Sequence, residues 1–134
     1  MLDRYQATNF VRHRKTKRQI DMELKIILLL IWVHFFGDFV LQTNDMAIKK
    51  SKSIKWLLLH TAVYSILLLF FGLVFALINM VAHFVVDFIT SRAGSYFRSQ
   101  DNQKGFFMVL GTDQAIHLTT LVGTYHYFGE FGWL

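Results

Sequence analysis

Long apolar stretches, separated by polar and basic segments, set the plan of this chain. The first is Ile26 to Gln42, IILLLIWVHFFGDFVLQ; the second is an uncharged run from Trp56 to Val86; the third runs from about Gly105 to Phe128. None has the charged outer face that a surface helix of a soluble bundle carries. Each is long enough to cross a hydrocarbon core, which takes about 20 residues. The pattern predicts a first helix over about Leu24 to Gln42, a polar loop to Lys55, a polar loop from Ser91 to Lys104, and a last helix over about Gly105 to Phe128. The tail Gly129 to Leu134, with Phe131 and Trp133, has the aromatic character of a membrane interface.

The middle run needs a break. Its 31 residues as one helix would reach roughly 46 Å at a rise of about 1.5 Å per residue, well beyond a core of about 30 Å. Two short helices joined by a tight turn satisfy the length, and Gly72 and Asn79 are the two places for that turn. The fold expected is therefore all-α: an integral membrane bundle of four short antiparallel helices over residues 22–134, with a polar site inside one leaflet. Residues 1–21 form a separate basic leader.

Charge sharpens this picture. The 14 Lys and Arg fall outside the apolar runs, in blocks at Arg4 to Lys25, Lys49 to Lys55, and Arg92, Arg98 and Lys104. The chain is 54% hydrophobic with a mean hydropathy of +0.37, and this segregation is how integral membrane proteins distribute charge. The positive-inside rule puts the two basic loops on the cytoplasmic face of a bacterial inner membrane. The leader then lies on the outer face, or the first helix does not fully span, or the leader is absent from the mature form. Its composition fits a disordered segment; the alternative is a surface helix that binds anionic lipid or nucleic acid through Arg12, Arg14, Lys15, Lys17 and Arg18. Met22 opens MELKIILLL, a sequence that would itself serve as a start. The first apolar run lacks a cleavage pattern and is not read as a signal peptide. With no cysteine, any metal must use His, Asp, Glu or backbone ligands.

The chemistry lies inside the apolar runs. His34 and Asp38, His83 and Asp87, and Asp113 and His117 are each spaced i, i+4, which puts both side chains on one helix face. His60 stands in the second run. Ionisable groups in membrane segments are costly and usually functional. Asp38 and His60 are equidistant from residue 49, and Asp87 and Asp113, like His83 and His117, from residue 100. His60 and His83 are symmetric about Phe71 and Gly72, so a turn at Gly72 brings all seven groups to one depth, whereas a turn at Asn79 would separate His60 from His83. Imidazole with carboxylate suits Zn²⁺, Mn²⁺, Fe²⁺ or Ni²⁺. Four His and three Asp exceed the needs of one tetrahedral ion and match two ions sharing an Asp. The competing readings are hydrogen-bonded His–Asp couples, a proton relay, or chance. Gln42, Tyr64 and Gln114 stand beside the set as groups that orient a ligand or bind substrate, and Arg92 as an anchor or an anion-binding group. His13 and His126 fall outside it.

The run His34-Phe-Phe-Gly-Asp38-Phe-Val-Leu-Gln42, then His60 with Tyr64, then His83-Phe-Val-Val-Asp87, then Asp113-Gln114-Ala-Ile-His117, resembles a family of small bacterial and phage integral membrane proteins with HxxxDFxLQ, HFxxD and DQxxH motifs. The likeness covers residues 22 to about 128. More distantly the chain is similar to the YdjM-like inner-membrane proteins, described as membrane-bound metal-dependent hydrolases. The resemblance implies a metal site more strongly than it implies a reaction.

The function expected is a membrane-embedded, metal-dependent hydrolase. Its two-ion site of Zn, Mn or Fe is formed by His34, Asp38, His60, His83, Asp87, Asp113 and His117, with the three Asp carrying the catalytic work. A site within the leaflet favours a phosphoester or lipid-linked substrate, and so small a bundle fits a homo-oligomer. The alternatives are a proton or divalent-ion transporter and a structural membrane adaptor held together by His–Asp pairs.

Overall fold

The computed structural model describes residues 2–129, with side chains from residue 16 onward. Among these residues there is no strand. The chain forms α1 (Leu2–Phe35), a π-helical turn (Phe36–Val40), α2 (Asn44–Lys49), α3 (Ile54–Leu68), a 3₁₀ turn (Leu69–Phe71), α4 (Leu73–Ser99) and α5 (Gln103–Phe128). The tail with Phe131 and Trp133, and the side chains of Arg12, Arg14 and Lys15, lie outside the described residues. α1 runs from Leu2 into the first apolar run with no break at residue 21.

The long helices bury polar stripes and expose apolar ones. α3 buries Leu57, His60, Thr61, Tyr64, Ser65 and Leu68, the i, i+3, i+4 pattern of one helix face. α4 buries Phe75, Asn79, His83 and Asp87 at steps of four residues, and α5 buries Asp113, His117 and Leu121. The outward positions carry Ile66, Phe70, Val81 and Val85, all more than half exposed. The apolar core, built around Leu30, Leu68, Phe71, Phe75 and Leu121, occupies the end of the bundle near Gly72. Two stretches, Ile54–Phe71 and Leu73–Ser99, are long and apolar enough to cross a membrane.

The chain reverses at Gly72, as the symmetry of His60 and His83 requires. Gly72 has φ 109° and ψ 145°, a conformation that side chains with a Cβ rarely adopt. Both expected polar loops differ from expectation. The first holds α2, capped by the Thr43 hydroxyl on Met46 N (3.3 Å) and tied by the Asp45–Lys49 ion pair (3.0 Å). The second shrinks to residues 100–102, because α4 continues to Ser99. That segment is polar but contains no Pro, and its lone glycine, Gly94, is buried. Polarity there marks the end of the apolar surface, not the end of the helix. Asp101, at φ 52°, makes the turn, and the Asn102 side chain caps α5 through Gly105 N (2.9 Å).

The first helix also ends differently. Its α geometry stops at Phe35, and the next turn is a π turn closed by Leu41 N on Phe36 O (2.9 Å). The wider turn changes the direction in which Asp38 leaves the backbone, and such turns are frequent at functional sites. Gly37 lies in it against α3, where a Cβ would come within 2.8 Å of Tyr64 Cδ2.

The Gly72 hairpin yields a direct test. Gly72→Val should destabilise the protein by about 1–3 kcal/mol, the usual cost of forcing a residue into such a conformation, measured by thermal unfolding in detergent. A variant as stable as the parent would show that this turn is not what fixes α3 against α4.

Candidate metal centre

All seven predicted groups are buried and converge. α3 supplies His60, α4 supplies His83 and Asp87, and the π turn supplies Asp38. His60 Nε2 lies 3.0 Å from His83 Nε2, 3.0 Å from Asp38 Oδ1 and 3.3 Å from Asp87 Oδ2. His83 Nε2 lies 3.5 Å from Asp38 Oδ1 and 3.7 Å from Asp87 Oδ2. These are five of the six edges of a tetrahedron. Bonds of about 2.0–2.1 Å to a central Zn²⁺ place the ligands about 3.4 Å apart, in the middle of the observed 3.0–3.7 Å. A proton on one imidazole could serve only one of these contacts, whereas a central cation serves all four atoms at once.

Beside this tetrad lies a second set. Asp87 turns Oδ2 to the tetrad and Oδ1 toward His117 Nε2 (3.9 Å), and His117 Nδ1 lies 3.4 Å from Asp113 Oδ2. Asp87, Asp113 and His117 thus offer three ligand atoms within 4.8 Å of one another. The His83 ring is stacked between Tyr64 and His117, with centroids 4.2 and 4.1 Å away, which fixes its plane. Thr90 donates its hydroxyl proton to Asp113 Oδ1.

Tyr64 and Gln114 complete a chain of hydrogen bonds whose protons can be placed. Gln114 Nε2 donates to Asp38 Oδ2 (2.7 Å) and Asp113 Oδ2 (3.0 Å). Its Oε1 therefore faces His34 Nε2 (3.0 Å), which must carry the proton. His34 Nδ1 is then the acceptor for the Tyr64 hydroxyl (3.2 Å). His34 can also join Asp38 and His117 as a ligand set, but in this hydrogen-bonding state it orients Gln114, which in turn orients two carboxylates.

Lys50 was not legible as a site residue, because it sits in a lysine-rich loop that charge rules alone explain. Its Nζ reaches Asp87 Oδ2 (2.7 Å) and His60 Nε2 (3.4 Å), an ammonium at the edge of the tetrad. Thr90 was missed too, although it lies i, i+3 from Asp87. Gln42 lines a cavity of about 370 Å³ over the carboxylates, and its Oε1 is buried with no hydrogen-bond partner. Arg92 lies away from the cluster: its guanidinium donates to Phe88 O (2.7 Å) and stacks on the Phe88 ring (3.7 Å). Arg98, one and a half turns on, lines the cavity instead.

Fold and site together define an all-helical protein with a buried His/Asp cluster able to hold a metal ion. Residues 26–132 match the family described as Protein of unknown function (DUF3307), and the chain belongs to that family. No curated protein and no solved structure matches it.

Gln114 supports the cluster without belonging to the tetrad. Gln114→Leu should weaken metal affinity about 10–100-fold, the usual loss when a group that orients ligands is removed, as read by competition with a chromophoric chelator. Undiminished affinity would mean that Asp38 is held in place without the Gln114 chain.

Proposed function

We propose that this protein is an integral membrane, metal-dependent hydrolase acting on a phosphoester, with its site in the cytoplasmic leaflet of the bacterial inner membrane. The observation that carries the reading is the pairing of a closed tetrad with an adjacent three-ligand set through Asp87. Four ligands leave no room for a reactant, whereas three leave a position open, the usual distinction between structural and catalytic sites. His60, His83, Asp38 and Asp87 would hold one ion, and Asp87, Asp113 and His117 a second. Paired Zn, Mn or Fe ions supply an activated water and stabilise the leaving oxygen in phosphoester cleavage. Asp38, Asp87 and Asp113 line the cavity, so a substrate held there would lie against carboxylates that would hold the ions.

Membrane placement rests on the inverted distribution of side chains. Among the described residues, His34, Asp38, His60, Asn79, His83, Asp87, Asp113 and His117 lie inside, while many Leu, Ile, Val and Phe side chains of the same helices face outward. In water such a surface would far exceed the apolar patches that soluble monomers expose; in lipid it is the expected exterior. α3 and α4 are long and apolar enough to span; the reading adds α1 and α5, with α2 and the α4–α5 turn on the Lys- and Arg-bearing cytoplasmic side. Transport is less well supported. Between His60 and His83, on the Gly72 side, the buried polar side chains among the described residues are Thr61, Tyr64, Ser65 and Asn79, the last bonded to Thr124 (2.8 Å), and none is a carboxylate or an imidazole.

In lipid nanodiscs, Zn-, Mn- or Fe-loaded protein should release phosphate from a lipid phosphoester. Asp87→Asn, which damages both ligand sets, should lower the rate about 100-fold or more, consistent with the transition-state stabilisation metal ions provide. No turnover with any of these ions, or full turnover by Asp87→Asn, would overturn the proposal.

A further inference from the structure

The cavity above the carboxylates has a composition that the metal cluster does not explain. Its floor carries Asp38, Asp87 and Asp113, and its rim carries Lys50, Lys52 and Arg98. Three carboxylates face three cations, so the charged side chains that line the cavity balance. Each divalent ion bound by the cluster would add two positive charges. A neutral cavity gives no reason to admit an anion; the loaded one would attract a dianion. A phosphomonoester carries about −1.5 to −2 charges at neutral pH, a better match than a phosphodiester.

The individual groups agree. Arg98 pairs with no acidic side chain among the described residues; its guanidinium rests over the Phe106 ring at 4.4 Å, which holds it at the cavity wall. Ser91 lines the same space, and its Oγ is buried without a hydrogen-bond partner. Lys50 is engaged by Asp87 Oδ2, the oxygen that also forms part of the tetrad. Were His60, His83, Asp38 and Asp87 to hold an ion, Asp87 Oδ2 would be drawn to it and the Lys50 ammonium would be free to face the cavity. Phe39 and Ile48, 43% and 63% exposed, also line the cavity and join it to the outer apolar surface.

We infer that Lys50 and Arg98 form a headgroup subsite for a lipid phosphomonoester, with the acyl chains leaving past Phe39 and Ile48. Metal binding would ready the subsite by releasing Lys50 from Asp87. The inference rests on the hydrolase reading, since the ion supplies the positive charge.

The test is calorimetric binding of short-chain phosphatidic acid to detergent-solubilised protein, Zn-loaded or chelator-stripped, with metal content measured in every sample. Short-chain phosphatidylcholine and inorganic phosphate serve as comparisons. Loaded protein should bind phosphatidic acid, and Lys50→Met and Arg98→Met should each weaken it about 10-fold or more, the worth of a charge-assisted hydrogen bond. Arg98→Met should keep its metal, which separates loss of the subsite from loss of the centre. Phosphatidylcholine bound equally well, or affinity unchanged in both variants, would overturn the subsite. Inorganic phosphate bound as tightly as phosphatidic acid would overturn its lipid character, and equal binding by stripped protein the release of Lys50. A protein that takes up no ion overturns the hydrolase reading and the subsite together; a loaded protein blind to phosphatidic acid overturns the subsite alone.

Discussion

Everything in this molecule turns on the free energy of carboxylates and imidazoles held out of water. Asp38, Asp87 and Asp113 are all less than a tenth exposed, and isolated buried charges of this kind cost several kcal/mol each unless they are paired. The chain supplies the pairing from every side: Lys50 on Asp87, Gln114 on Asp38 and Asp113, Thr90 on Asp113. Even so, His60 and His83 meet nitrogen to nitrogen at 3.0 Å with two carboxylates beside them. A cation between them is the arrangement that relieves all of these contacts at once, which is why the metal reading follows from electrostatics as well as from ligand type.

The scaffold is arranged to serve that constraint. Helix faces that would normally be filled with Leu and Val carry the polar stripes, and the apolar core is confined to the end of the bundle beyond the cluster. Local departures from regular geometry do the positioning. The π turn at Phe36–Val40 brings Asp38 to the histidines of α3 and α4, Gly37 lets that turn approach Tyr64, and Gly72 reverses the chain so that His60 and His83 meet. Tyr64 and Gln114 then fix the hydrogen bonds around His34 and Asp38, so that these side chains are held in place.

Much of this was legible in the sequence because helical geometry converts spacing into placement. Three i, i+4 His–Asp pairs, His60, and a hinge that had to lie midway between His60 and His83 were enough to assemble the cluster. What escaped shares one physical reason: local composition does not show what a flexible or polar side chain reaches. Lys50 lay among lysines that the charge rule already explained, yet its long stem reaches the tetrad from α2. The segment after Asp87 looked like a loop because it is polar, but nothing in it breaks a helix, and α4 carries Arg98 to the cavity wall. With α4 continuing, Arg92 is directed back to Phe88, a contact its place in the sequence does not show. The π turn left no sequence signal beyond Gly37.

The most direct test of the central claim is X-ray absorption at the metal edge of protein purified from metal-supplemented cells, combined with elemental analysis. The account predicts close to two ions per chain, with a shell of nitrogen and oxygen at about 2.0–2.1 Å if the metal is zinc and imidazole scattering beyond it. Protein that holds no ion after purification and reconstitution, in a folded state with its His and Asp still buried, would contradict the account and leave Lys50 as the counter-charge of a purely structural cluster.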